Sequence, residues 1–373
     1  MSSARFEHTV RDLFALAGIA VNGSNPWDIQ VHNPEFYRRA LEKVELGVGE
    51  AYMDGWWDCA HIDQMVSKIV LAKLDERAGR DASVIYNTLL AKLFNPQSYR
   101  KAFHIGEKHY DLGNDLFQNM LDRRMNYSCA YWNSAESLDE AQEHKLELIC
   151  RKLDLQPGMR VLDIGCGWGA FGKYVAEKYE ARVVGITVSK EQVALGRELC
   201  AGLPVEFRFQ DYRDLDEEFD HVVSIGMMEH VGVKNYRTYF EVANRCLSDK
   251  GLFLLHTIGT KVSGETIDPW TDKYIFPGAA LPSIAQFGKA TEDLFIMEDW
   301  HNFGADYDKT VMAWFQNFDH NYDRIKDKYD QRFYRMWKYY LLSLAGTFRV
   351  RRNQLWQIVL SKDGVAGGYQ SVR

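Results

Sequence analysis

Between residues 161 and 360, short runs of branched apolar residues alternate with longer segments whose apolar positions recur at helical spacing. The runs at 161–164, 182–186, 205–210, 221–225 and 252–256, with a last one near 355–360, predict strands of a buried sheet. Strands alternating with helices in this way predict a doubly wound α/β domain. Residues 1 to about 90 follow another pattern. Their apolar positions recur every three or four residues, as over 6–16 and 34–44, so this part is expected to be mostly helical, with an aromatic cluster at Tyr52, Trp56 and Trp57. Asn95-Pro96-Gln97-Ser98 reads as a joint, and Pro157-Gly158 as the entry to the sheet. An insertion at 259–291, carrying Trp270, Tyr274, Phe276 and Pro277, separates two late strands. At the carboxyl edge of such a sheet it is expected to cover a ligand crevice.

Composition narrows the class. A chain of 373 residues can bury a sizeable core and fill two domains. Its 46% hydrophobic content is interspersed with charge, and no uncharged apolar run reaches the roughly eighteen residues of a membrane span. Met1 to Thr9 lacks a charged segment followed by an apolar core, so a cytoplasmic location is expected. The formal charge of -7 argues against a nucleic-acid binder and against whole-molecule attraction to an anionic bilayer. Arg349, Arg351 and Arg352, or Arg332, Arg335 and Lys338, are candidates for a local basic patch, although the solvated face of a helix is the simpler reading of each. The six cysteines form no C-x-x-C pair, which favours reduced thiols over a disulfide framework or a zinc site.

The run Val161-Leu162-Asp163-Ile164-Gly165-Cys166-Gly167-Trp168-Gly169 reads as a buried strand, a glycine turn and the opening of a helix. Three missing Cβ atoms allow a tight turn and the close approach of a ligand. The G-x-G-x-G spacing differs from the dinucleotide fingerprint and from the phosphate loop, so a nucleoside without a pyrophosphate fits better. With its Leu-Asp-Ile-Gly core, the run resembles motif I of the class I methyltransferases, which bind S-adenosylmethionine. At the end of the next strand no acid is available for a ribose; Thr187, Ser189 and Gln192 are the polar candidates, and Ser189 with Gln192 also reads as a helix cap. The strand at 205–210 runs into Asp211, suited to an adenine amino group or, as the end of an edge strand, to solvent.

Four further places combine reactive residues with aromatics at expected strand ends or loops: Tyr127-Ser128-Cys129-Ala130-Tyr131-Trp132, Met227-Met228-Glu229-His230-Val231, Leu255-His256-Thr257-Ile258-Gly259 and Phe303-Gly304-Ala305-Asp306-Tyr307. Glu229 and His256 follow strands, so both are expected to face the crevice. Taken singly, His256 reads as a hydrogen-bonded core histidine, Glu229 as a helix-start acid, Cys129 as a small buried hydrophobe and Tyr307 as packing.

Several of these segments, with others, occur in one collinear order. His109-Tyr110-Asp111-Leu112-Gly113-Asn114-Asp115-Leu116-Phe117, the segment at 127–132, the glycine turn, Met228-Glu229-His230-Val231-Gly232, His256-Thr257-Ile258-Gly259, Lys273-Tyr274-Ile275-Phe276-Pro277 and Glu298-Asp299-Trp300-His301-Asn302-Phe303-Gly304 through to Tyr307 together resemble the cyclopropane fatty acid synthases of the bacterial two-domain type. The resemblance implies a class I S-adenosylmethionine-dependent methyltransferase, Rossmann-like with a doubly wound sheet, over 109–373. A smaller, mostly helical lipid-binding domain over 1–90, including Tyr52 to Trp57, and a linker over 91–108 would precede it.

The resemblance further implies that a methyl group is added across a cis double bond of a phospholipid acyl chain, and that a proton is then lost to close a cyclopropane ring. Bicarbonate is the implied base, caged by Cys129, Glu229, His256, Tyr307 and the backbone of Ile258. Tyr131, Trp132, Tyr274 and Phe303 are candidate aromatic faces for the cation, worth roughly 1–2 kcal/mol each when desolvated. Tyr127 and Ser128, Asp163 with Gly165, Gly167, Trp168 and Gly169, then Thr187, Ser189, Gln192, Asp211 and Tyr212 are the implied cofactor contacts. The implied partners are an unsaturated membrane phospholipid, transient contact with the inner face of the membrane and a second copy of the chain. Where relatives can carry a cysteine this chain has Leu344, which no step of that chemistry uses. A branched-chain product without ring closure, a small-amine N-methyltransferase and a non-catalytic lipid-binding relative are the competing readings.

Overall fold

The computed structural model describes residues 3–74 and 113–373. The expected linker at 91–108, the joint at Asn95 to Ser98 and the residues His109 to Leu112 lie outside them. The chain divides into two compact units. The first takes in the described residues up to 74 together with Thr266–Pro277 and Tyr307–Asn353, and the second takes in the rest. The expected α/β domain over 109–373 thus gives up two stretches to the first unit, one of them from within the 259–291 insertion.

In the first unit the apolar stripes of the helices Ser3–Leu16, Glu35–Met53 and Ile62–Leu71 meet around Val10, Phe14, Phe36, Trp57 and Met65. The helical period predicts a helix over 34–44; the helix continues to Met53 beyond a kink at Val44, whose φ is 46°. Leu342 of the helix Gln331–Arg349 closes this core. At Gly346 that helix comes so close to Ile62–Leu71 that a Cβ would stand 2.6 Å from the Asp63 carbonyl oxygen, and Ser67 Oγ donates to Gly346 O at 3.2 Å. The stretch 266–277 is tied to Glu35–Met53 by the Trp270 indole against Gly49 and by Lys273 Nζ and the Tyr274 hydroxyl, which donate to Glu50 at 2.6 and 3.0 Å. Two short antiparallel strands, β1 (Gln30–Val31) and β2 (Trp57–Asp58), complete the unit.

Four members of the candidate basic patches are engaged within the first unit. Arg335 lies over the Tyr52 ring, donates to the carbonyls of Tyr52 and Trp57 and pairs with Asp58 at 2.8 Å. Arg332 pairs with Asp54 at 3.0 Å, Arg349 with Asp63 and Asp308, and Lys338 sits over the Phe315 ring. Tyr52 and Trp57 are 2% and 0% exposed, so this part of the aromatic cluster is core rather than a surface anchor.

The second unit is built on a seven-stranded sheet of order β5-β4-β3-β6-β7-β9-β8. The strands are β3 (Arg160–Ile164), β4 (Arg182–Thr187), β5 (Val205–Phe209), β6 (His221–Ile225), β7 (Leu252–Thr260), β8 (Ile296–Asn302) and β9 (Asn353–Ser361). β3 to β7 pair in parallel, while β8 pairs antiparallel with β9 across an irregularity at Met297/Asp299. Alternate residues feed two cores: Val161, Val183 and Val223 pack with Leu146, Ile149 and Phe171, while Leu162, Ile164 and Val222 pack with Tyr239 and Phe240. Both faces are covered, which is why the parallel strands read as continuous apolar runs.

Two expectations change here. β7 is nine residues long and runs on to Thr260, so His256, expected at the end of a strand, lies within one. β8 was not legible as a strand, since Ile296 and Met297 are about half exposed on the sheet edge. Among the described residues no helix is long and apolar enough to cross a membrane.

Because Leu342 shares a core with residues 10–65, removing residues 1–90 should unfold the first unit rather than cleanly delete a module. The truncated chain should show red-shifted tryptophan emission, Trp314 and Trp337 being fully buried in the intact protein. Leu342→Ala alone should cost about 2–5 kcal/mol in urea denaturation.

Candidate active site

The glycine turn leaves β3 with φ of +83° at Gly165, +56° at Gly167 and +87° at Gly169, a region that disfavours other residues. The three glycines answer different needs. A Cβ on Gly165 would lie 2.6 Å from the Met227 side chain, and one on Gly169 would lie 2.3 Å from the Phe207 ring. A Cβ on Gly167 would meet nothing within 4 Å, so the turn faces open space there. Trp168 is fixed beside it: Nε1 donates to Asn114 Oδ1 at 2.9 Å and the ring packs on Phe117, whose other neighbour is Tyr127. Asp163 is 2% exposed, and its Oδ1 has no hydrogen-bond partner. Burial pushes its carboxyl up to about 7 against the opposing pull of Lys145. An open backbone turn beside an orphaned carboxyl oxygen suits a nucleoside-bearing ligand such as S-adenosylmethionine.

The expected ribose contacts are engaged with one another. Thr187 Oγ1 donates to Gln192 Oε1 at 2.7 Å, and Ser189 caps the helix Lys190–Leu199 by accepting from the Gln192 N–H. Asp211 is 1% exposed rather than solvated; its carboxylate accepts from the backbone and guanidinium of Arg213, and Tyr212 packs edge-on against Tyr239. Capping is the role the hydrogen bonds display at 187–192, and ion pairing at Asp211.

Farther along the carboxyl edge, β6 leads into the turn Met228–His230, which carries Glu229 over to β7. Glu229 Oε1 accepts the Ile258 backbone N–H at 2.6 Å, while Oε2 has no partner. The Ile258 donor expected to serve a bound anion is thus spent on the carboxylate. Burial raises the Glu229 carboxyl to about 7, opposed by that hydrogen bond. His256 is 1% exposed, with Nδ1 3.3 Å from Gln357 Nε2 and Nε2 without a partner. With the Gln357 amide nitrogen as donor, Nδ1 accepts and the ring proton sits on Nε2. Burial, aided by Lys145 and Lys152, holds this ring neutral.

Cys129 is fully buried and its thiol donates to Ala130 O at 3.2 Å. Its neighbour Ser128 lies against Gly226, whose N–H donates to His256 O at 2.8 Å. Burial also sets Tyr131, His301 and Phe303 together: Phe303 stands edge-on to both Tyr131 and His256, at 5.2 and 5.9 Å. Trp132 N donates to Asp306 Oδ2.

The second unit therefore gathers Cys129, Glu229, His256, Ile258, Tyr131, Trp132 and Phe303. Tyr274 and Tyr307 belong to the first unit, where Tyr274 donates to Glu50 and Tyr307 packs on Phe348 and Trp314. Lys145 and Gln357 were missed. Gln357 carried a signal, a polar residue inside the apolar run of the last strand, and so did Lys145, a charge on the apolar face of Leu138–Lys152.

The Glu229 carboxyl has a pH signature. The folded protein keeps its proton up to about pH 7, whereas an unfolded chain releases it near the ordinary 4.5. Folding is thus favoured below that range and loses on the order of 3 kcal/mol as pH rises through it. Glu229→Gln cannot titrate. Its stability relative to the parent should improve by that order between pH 5 and 8 in urea denaturation, and a difference independent of pH would show an ordinary carboxylate. Gly167→Ala should fold with a loss of about 1 kcal/mol from its positive φ and lose S-adenosylhomocysteine binding by calorimetry.

A profile of the mycolic acid cyclopropane synthetase family matches residues 97–358. A cyclopropane-fatty-acyl-phospholipid synthase of Escherichia coli (strain K12) is 52% identical over 362 residues, 97% of this chain and 94% of that protein. The cyclopropane synthase MmaA2 from Mycobacterium tuberculosis is 30% identical, with a TM-score of 0.65 over 70% of this chain and 98% of its own. The mycolic acid cyclopropane synthase CmaA1, solved in complex with SAH and CTAB, is 33% identical with the same TM-score and the same coverage. With most of its length inside the family profile and its sheet matched by these structures, the chain belongs to the mycolic acid cyclopropane synthetase family and has the class I S-adenosylmethionine-dependent methyltransferase fold.

Proposed function

We propose that this chain transfers the methyl group of S-adenosylmethionine to the cis double bond of an unsaturated phospholipid acyl chain and closes a cyclopropane ring, with bicarbonate as the base. The observation that carries the reading is the pair of buried polar atoms without protein partners, Glu229 Oε2 and His256 Nε2. The name of the 52% identical relative supports the substrate class.

The double bond's electron pair forms the new C–C bond as the methyl–sulfur bond breaks. The resulting cation loses a proton from the new methyl group, and that C–H pair closes the ring. Bound bicarbonate supplies a base too weakly nucleophilic to be methylated readily. The protein's part is placement and protonation. His256, neutral, offers an N–H from Nε2 to an anionic oxygen. Glu229, poised near neutrality and anchored through Oε1 to Ile258, offers Oε2 to share a proton with the anion's hydroxyl. Cys129, buried and hydrogen-bonded to its own chain, serves as wall rather than nucleophile. Tyr131 and Phe303, packed edge-on at 5.2 Å, offer ring faces to the cationic centre.

An acyl double bond inside a bilayer requires contact with the membrane surface, which makes peripheral association part of the proposal. A homodimer is carried by the resemblance alone. Vesicle flotation and sedimentation test these two points.

Purified protein with S-adenosylmethionine and cis-unsaturated phospholipid vesicles should add one CH₂ per acyl chain, with loss of the double bond by mass spectrometry after ozonolysis, only when bicarbonate is present. A CH₂ gained with the double bond retained would point to the branched product instead. Glu229→Gln and His256→Ala should each lower turnover by about 10²-fold or more while leaving S-adenosylhomocysteine affinity intact. Unchanged turnover would remove these residues from the mechanism.

A further inference from the structure

Two lysines enter the second unit from one helix. Lys145 and Lys152 are seven residues apart on Leu138–Lys152, hence on the same face, and both are at most 1% exposed. Lys152 has a counter-charge: Asp299 Oδ2 lies at 3.7 Å, and His301 Nδ1 at 3.2 Å. Lys145 has no such partner. Its Nζ donates to Asn126 Oδ1 at 3.0 Å and Ser128 Oγ at 2.9 Å, both neutral, and among the described residues it makes no salt bridge.

Asp122 and Asp163 favour its charge through space, but neither comes within ion-pair distance of Nζ. Asp122 is committed to the backbone and side-chain N–H groups of Asn126 and to the backbone of Arg124. Asp163 is so buried that it holds its proton up to about pH 7. Burying an ammonium without a carboxylate is unfavourable by itself. Lys145 responds with a pKa lowered to about 8, a value that still leaves it mostly charged at neutral pH.

The position of this charge is informative. Ser128, its hydrogen-bond partner, precedes Cys129, and a Cβ built on Gly226 would lie 3.8 Å from Ser128 Cβ. Gly226 in turn donates to the carbonyl of His256 and leads into the turn that carries Glu229. The ammonium thus stands behind the site whose two unpartnered atoms, Glu229 Oε2 and His256 Nε2, await a polar ligand. Without it the site would offer an anion one neutral imidazole and one half-protonated acid.

We propose that Lys145 is a positioning residue of the methyl-transfer site: its buried ammonium, held by Asn126 and Ser128, supplies the positive charge that retains a small oxyanion between Glu229 and His256. The inference rests on the bicarbonate reading above and adds the source of the anion's electrostatic retention. Lys145 acts through space and through the placement of Ser128 and Cys129, without touching the reacting atoms.

The test compares Lys145→Gln, which keeps a donor but removes the charge, with Lys145→Arg, which keeps both. Three quantities are read: the bicarbonate concentration for half-maximal turnover, the rise in melting temperature of the S-adenosylhomocysteine complex on adding bicarbonate, and S-adenosylhomocysteine affinity by calorimetry. Lys145→Gln should raise the half-maximal concentration tenfold or more and abolish the bicarbonate-induced rise, with S-adenosylhomocysteine affinity within threefold. Lys145→Arg should restore most of both responses. Lys145→Met, which removes the charge and leaves no unpaired polar group at that end of the side chain, should weaken the bicarbonate response in the same direction and covers the case in which Lys145→Gln does not fold.

A bicarbonate response in Lys145→Gln or Lys145→Met equal to that of the parent would overturn the proposal. So would equal losses of cofactor affinity and stability in the Gln and Arg variants, which would mark a purely structural lysine. If the parent itself shows no response to bicarbonate, it is the function reading that fails, and the proposal falls with it.

Discussion

Exclusion of water at the carboxyl ends of β3, β6 and β7 sets the character of the whole site. Burial moves Asp163 and Glu229 up to about 7 and, aided by Lys145 and Lys152, keeps His256 neutral. Groups that would be charged and nucleophilic in water are thereby held in muted forms, which suits a chamber meant for a methylating sulfonium. A carboxylate fully ionised and free at that place would compete with a double bond, the weaker nucleophile. The sheet enforces this dryness because both of its faces are covered by apolar cores, leaving only strand ends for polar chemistry.

The same economy appears in the glycine turn. Two of its glycines are demanded by protein packing, against Met227 and Phe207, and only Gly167 opens toward a ligand. Met227 stands two residues from Glu229 on the same turn, so the contact at Gly165 couples the cofactor loop to the segment that bears the acid. The two turns follow neighbouring strands, β3 and β6, of one sheet.

Much of this was legible in the chain because parallel strands covered on both faces leave an unambiguous apolar signature, and because a glycine turn after such a strand has few other uses. The legible part stops where contacts are non-local or where one residue serves two pulls. β8 is half polar, and of its apolar residues Ile296 and Met297 are about half exposed while Trp300 packs on the core, so no period marks it. Arg332, Arg335 and Arg349 look like a basic surface until Asp54, Asp58 and Asp63, nearly 300 residues away, are found paired with them. Thr187, Ser189 and Gln192 were visible as polar groups at the right strand end, yet the hydrogen bonds they exchange with one another are local and were equally readable as a cap. Lys145 sits on a helix full of charges, and only its register against Leu138, Ala141 and Leu148 marks it as inward.

The discontinuous make-up of the first unit bears on synthesis of the protein. Its described N-terminal helices end at Leu71, but the helix that carries Leu342 into their core begins at Gln331, so 259 residues (72–330) must be translated in between. At the usual elongation rates of about 5–20 residues per second, this leaves roughly 10–50 s during which Trp57, Phe36 and Met65 lack their lid. The parallel strands β3 to β7 are synthesised before that helix, whereas β9, which joins β7 to β8, follows it, so both units are completed only as the last hundred residues emerge.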